Sequence, residues 1–186
     1  MTQYLELDDS SYASEGVVLT ETLILRASSI IDGYCQREIG VKIYKERILL
    51  NNQRGHVSYY PVVEVLSLQG RALQGLMGNF FGNPTFEPIE LSNLDIDKSI
   101  GTVWCGQSPF GSSYAELQIE YTSGYEVIPE KVKVACGLLV SQLASNLNPN
   151  VKTKKDFDYS IEYFGNNIVT PEIANLLSEY KLRSFR

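Results

Sequence analysis

The sequence is short of the groups that do chemistry. It has one histidine, one tryptophan and three cysteines, and no apolar run approaches the roughly 18 residues of a membrane span. The cysteines, Cys35, Cys105 and Cys136, are odd in number and lack a CxxC pairing, which excludes a disulfide framework and a zinc ribbon. Each sits among apolar residues and reads as a small buried hydrophobe. His56, in "QRGHVSYY", has no second histidine and no nucleophile motif to complete a Ser–His or Cys–His arrangement, and it reads as a residue near a turn. No GxGxxG and no phosphate-cradling loop ending in GK[ST] appears. Asp95 and Asp97 in "NLDIDKS" stand like the start of a calcium loop, but the required glycine and distal glutamate are missing, so the segment reads as a turn. The expectation is a protein without a cofactor or metal, and not an enzyme. Cations are also few: 16 Lys and Arg against 22 Asp and Glu give a net charge of −6 and a pI near 4.9. That excludes a fold-wide basic face for gripping nucleic acid. Basic clusters are local, in "VKTKK" (151–155) and "KLRSFR" (181–186). The start, "MTQYLELDDSSYASEG", lacks the basic and apolar regions of a signal peptide.

What is present is a globular composition, 44% hydrophobic and 20% charged over 186 residues, which suits one domain with a single sizeable core. After a polar segment (1–18), residues 19–40 have helical spacing, with Leu23, Ala27, Ile30, Ile31 and Tyr34 on one face. Thr20 is positioned as the N-cap, Glu21 and Arg37 complement the two helix ends, and Gly40 is the expected stop.

The period then changes. "KIYKERILLN" (42–51), "PVVEVLSLQG" (61–70), "FEPIEL" (86–91), "GTVWC" (101–105) and "AELQIEYT" (115–122) are short β-like runs separated by turn residues. They predict an antiparallel meander or small barrel-like sheet inserted over about 42–122. Between them, "GLMGNFFGNPTF" (75–86) offers Phe80 and Phe81 either to the chain's own core or to a partner.

In "IEYTSGYEVIPEKVKVACGLLVSQLA" (119–144) a strand ends at a permissive Gly124, and Pro129 and Glu130 open a helix. Its apolar positions, from Val132 to Leu147, wrap most of the circumference, so it belongs at the centre of a core, covered first by helix 19–40. The fold class is therefore α+β: a small helical bundle around a central helix (129–148) with an inserted β region. In 149–186, "NPNVKTKKDFDYS" reads as an exposed connection and "YSIEYFGNN" as a short strand. An amphipathic C-terminal helix then opens with Thr170 as N-cap and Pro171 in the first turn. Its stripe of Ile173, Leu176, Leu177 and Tyr180 either docks on the chain's own core or lies in a partner's groove.

Three stretches, "ASSIIDGYCQREI" (27–39), "PVVEVLSLQG" (61–70) and the joint at 119–144, together resemble the head–tail connector (adaptor, or head-completion) proteins of long-tailed bacteriophages. Gln36 stands where that pattern commonly has glycine, and the Phe80/Phe81 loop has no counterpart. The resemblance implies a structural virion protein at the head–tail interface, present in the host cytoplasm during assembly. Its copies would form a ring, in the family often a dodecamer, between the portal and a stopper or tail-completion protein. DNA would pass through the channel without sequence-specific binding, and no membrane is involved. On this footing Leu176, Tyr180, Lys181, Leu182, Arg183, Phe185 and Arg186 are the candidate portal-binding arm, and Phe80 and Phe81 the candidate tail-side loop. The alternatives are another stopper or tail-completion protein, a DNA-packaging-associated nucleic-acid-binding factor, or an enzyme resting on His56.

Overall fold

In a computed structural model of the chain, residues 2–72, 85–107, 111, 113–145, 153–156, 159–162 and 168–182 are described, with the backbone alone at 153–156 and 159–162. The fold is α+β, with helices and antiparallel sheets. It divides into two compact units: Met1–Ile39 with Val127–Lys181, and Gly40–Glu126 with Leu182.

The first unit is helical. Helix α1 (Glu21–Cys35) starts at Thr20, whose Oγ1 accepts a hydrogen bond from the Leu23 N–H at 3.4 Å. It buries Ile24, Ala27, Ser28, Ile31 and Cys35. This stripe is turned from the expected one because Ser28 is inside. Its hydroxyl accepts the Tyr4 N–H at 3.2 Å, so a small polar residue occupies a core position without an unmet hydrogen bond. The helix stops at Gln36, not Gly40: Gln36 adopts φ 58° and ψ 27°, and its N–H bonds back to the Asp32 carbonyl. That left-handed geometry is where a helix C-terminus usually places glycine.

Helix α2 (Glu130–Ser145) buries Val132, Ala135, Cys136, Gly137, Leu139, Val140 and Ser141, residues spread around much of its circumference. Pro129 stands one residue before its first turn. It packs against α1, against α3 (Pro171–Leu177) and against a 3₁₀ turn at Ser10–Tyr12. The N-terminal segment is thus a packed strap. Tyr4 and Leu5 are buried, and the Ser14 N–H donates to Ser141 Oγ at 2.9 Å. The Tyr12 carbonyl lies so close to Gly137 that any Cβ there would collide with it. Between α2 and α3 the chain forms an antiparallel hairpin, β8 (Thr153–Asp156) with β9 (Tyr159–Glu162), so 153–156 is a strand and not only a connection.

The second unit holds two sheets. One has the order β1 (Lys42–Leu49), β7 (Tyr114–Ser123), β3 (Val62–Ala72), β4 (Glu87–Pro88); the other has β2 (Arg54–His56), β6 (Thr102–Cys105), β5 (Leu94–Asp97). The arrangement is not a meander. The last strand in sequence, β7, lies between β1 and β3, because its Leu117, Ile119 and Tyr121 form the centre of the buried face. The two sheets share one core, with Ile48, Leu68, Leu117, Ile119 and Tyr121 from the larger and Val103 and Cys105 from the smaller. Gly124 at the end of β7 has φ 130°, and its Cα faces the Gly40 backbone too closely for a Cβ.

Candidate assembly interfaces

The C-terminal stripe is occupied. Thr170 Oγ1 caps α3 by accepting the Ile173 N–H at 3.4 Å, with Pro171 in the first turn. The helix is two turns long and ends in a 3₁₀ turn, Ser178–Tyr180. Ile173 and Leu177 are fully buried and Tyr180 is 8% exposed, so the stripe lies on the chain's own core, the first of the two placements expected for it. Around it, Lys131 Nζ reaches Glu179 Oε1 at 2.8 Å, and the Lys181 ammonium lies 5.0 Å from the centre of the Tyr34 ring. Of the arm candidates, Leu176 and Leu182 are half-buried, Tyr180 is buried and Lys181 is exposed. Arg183, Phe185 and Arg186 lie outside the described residues, as do Phe80 and Phe81. Of the described residues that follow, Phe86 lies under the Arg47 guanidinium (4.8 Å) and the Arg71 guanidinium (5.3 Å), and Arg71 is ion-paired with Glu116.

The residues first suspected of chemistry are placed structurally. His56 is the last residue of β2, close to the bend at Ser58–Tyr59, with Nδ1 3.1 Å from Thr102 Oγ1. Asp95 and Asp97 lie on β5, not in a turn. Asp97 fixes the turn that follows by accepting the Ser99 N–H (3.0 Å) and hydroxyl (2.6 Å), bonds that hold its carboxyl below the usual range. All three cysteines are buried, and burial pushes their thiols up, to about 11 for Cys35 and Cys105 and about 12 for Cys136. Thiols held protonated in this way are poor nucleophiles. Among the described residues no group of three or more His, Cys, Asp or Glu could hold a metal ion, and no helix is long and apolar enough to cross a membrane.

Cations are taken up locally. Besides those already named, Arg54 lies over the Trp104 ring at 4.8 Å, Lys133 sits 3.5 Å from Asp9, and Lys98 Nζ donates to the Val63 carbonyl at 2.8 Å. Sequence reasoning missed an outward-facing feature of the β unit, the exposed Trp104 under Arg54. The single tryptophan beside an arginine one strand away was the available signal for it.

No family model matches the sequence, and no curated protein matches it. Among solved structures, the fold is similar to that of a chain from the neck of an empty GTA particle, computed with C6 symmetry. The TM-score is 0.52 at 12% identity, over 100% of this chain and 96% of the other. At that identity the likeness is one of fold, and it runs through both units.

Proposed function

We propose that this chain is a structural subunit of the neck of a phage-like particle: a head–tail connector whose copies form a ring between the portal and a stopper or tail-completion protein. The observation that carries this reading is the end-to-end correspondence of fold with a chain of the GTA neck. A shared fold alone does not specify function. Here the sequence stretches at 27–39, 61–70 and 119–144 point to the same class of protein independently. The C6 symmetry of that neck is compatible with six or twelve copies. In a ring each subunit presents two different complementary faces. A net charge of −6, with many of the described cations held by carboxylates or rings, suits a wall along which DNA slides. The portal contact is assigned to the end of the chain, Lys181, Leu182, Arg183, Phe185 and Arg186, which follows the buried Leu177 of α3 and Tyr180 of the 3₁₀ turn. The tail-side contact is assigned to Phe80 and Phe81.

The test is the mass of the purified protein by light scattering, alone and mixed with the portal protein from the same source. A complex of fixed stoichiometry is expected. Removing residues 182–186 is expected to abolish it while leaving the unfolding midpoint in place, since the buried stripe is kept. A chain that stays monomeric and ignores the portal would overturn the reading.

A further inference from the structure

Helix α3 is seven residues long, too short to persist by itself. Its buried Ile173 and Leu177 secure it to the helical unit. The 3₁₀ turn that follows, and the residue after it, are held in three further ways. Glu179 takes the Lys131 ammonium of α2 at 2.8 Å. That bond, with a second from Tyr180, keeps the Glu179 carboxyl below its ordinary range. Tyr180 is itself buried. Lys181 then sets its ammonium 5.0 Å from the centre of the Tyr34 ring, in the last turn of α1. Tyr34, expected on the buried stripe of α1, is only half-buried there.

The backbone changes character at the same point. Ser178 is still helical, at φ −58° and ψ −36°, whereas Lys181 is extended, at φ −67° and ψ 134°. The chain therefore passes into its last residues as an extended segment whose root is tied to both α1 and α2.

We infer that Tyr34 and Lys131 are positioning residues for the portal contact: they hold the root at 179–181, so that Leu182 and the residues after it leave in one direction. The inference rests on the portal assignment proposed above and adds the residues that aim it. Pre-organisation supplies the reason. A contact segment that starts from a fixed root loses less conformational entropy on docking than one whose root must be ordered as well. The Lys131–Glu179 side chains are 57% and 49% exposed, so this hold is weak, and a partly exposed cation–ring contact is weak too. Two weak holds aim a segment while adding little to a fold that the buried stripe already secures.

Tyr34→Leu removes the ring and Lys131→Ala the ammonium, whereas Tyr34→Phe and Lys131→Arg keep each in kind. Affinity for the portal protein from the same source is measured by calorimetry for each chain. The unfolding midpoint and hydrogen exchange at 178–182 are measured on the free chains. Tyr34→Leu and Lys131→Ala are each expected to weaken portal binding about threefold, and together about tenfold. Exchange at 178–182 should quicken while the midpoint stays in place. Tyr34→Phe and Lys131→Arg are expected to bind as the native chain does. Native-like binding by the double variant, or a loss that the conservative variants share, overturns the inference and leaves the portal reading standing. So does unchanged exchange at 178–182, or a loss of affinity that tracks a fall in the midpoint. A native chain that ignores the portal overturns both together.

Discussion

In the helical unit, one helix is enclosed: α2 packs against α1, α3 and the N-terminal strap and buries Val132, Ala135, Cys136, Leu139 and Val140. In the β unit the burial is one-sided. The inner faces of two sheets share a core, while the outer faces and two edges keep their polar and charged residues in solvent. An enclosed helix requires close backbone approach, and small residues provide it; a two-sheet core requires alternation, and its neighbours are side chains that can shift. The helical unit has committed the stripes of α1, α2 and α3 to itself, and under the proposed function the partner contacts are assigned to the end of the chain and to Phe80 and Phe81.

The sharpest way to break this contrast is to add one methyl group to each unit. At Gly137 a Cβ runs into the Tyr12 carbonyl, which is backbone and cannot turn aside; at Gly70 it meets the ends of the Ile89 and Tyr114 side chains, which can. Gly137→Ala is expected to cost about 3 kcal/mol, at the upper end of overpacking, and Gly70→Ala about 1–2 kcal/mol. Denaturant unfolding measures both. Hydrogen exchange over residues 4–14 should rise sharply for the first variant and not for the second. Equal costs would mean that the strap gives way as easily as a side chain.

Alkaline pH makes a smaller, graded comparison. Burial raises the Cys136 thiol of the helical unit to about 12 and the Cys105 thiol of the β unit to about 11 from an ordinary value near 9. Folding then favours the protonated thiol. The stabilisation is complete below about pH 9 and is lost as pH rises through the folded value, at up to about 1.4 kcal/mol per pH unit for each thiol. Cys105→Ala is expected to make the fall in stability shallower between pH 9 and 11, and Cys136→Ala between pH 9 and 12. Tyr4 and Tyr121, also raised by burial and by bonds to Asp32 and Glu46, add the same alkaline loss to every variant. Parallel curves for the two variants between pH 11 and 12 would show the thiols to be equally buried.

Much of this was legible from the chain. The α2 pattern called for enclosure, the alternation at 61–70 and 115–122 marked β3 and β7, and Thr20, Thr170 and Pro171 marked helix starts. What was missed has physical causes. Strand order is set by long-range pairing that no local pattern encodes, so β7 between β1 and β3 could not be read. β2 and β5, three and four residues long, are too short to show a period. The strap looked polar because its two anchors, Tyr4 and Leu5, are adjacent and have no periodicity. Ser28 and Glu46 face inward against their type, each made tolerable by hydrogen bonds from residues distant in sequence. At the candidate interfaces the C-terminal stripe was identified but its occupancy was not, since an apolar stripe reads the same whether it meets its own core or a partner.

The smallest effect compares how each unit turns its chain. Gln36 ends α1 at φ 58°, and Asn52 and Gln53 form the turn between β1 and β2 at φ 50° and 66°. A left-handed conformation costs a residue with a Cβ roughly 1 kcal/mol or more, and asparagine tolerates it better than glutamine. Glycine removes that cost but adds flexibility to the unfolded chain, which returns part of the gain. Gln36 is exposed, so no packing is lost with its side chain. Gln36→Gly is therefore expected to stabilise the chain by about 0.5–1 kcal/mol, and Asn52→Gly to change it by only a few tenths of a kcal/mol. Unfolding midpoints with unchanged slopes would measure both. If Gln36→Gly destabilised the chain, the glutamine side chain would have to be making a contact worth more than the strain of its backbone. The departure from glycine at that position would then be a functional choice.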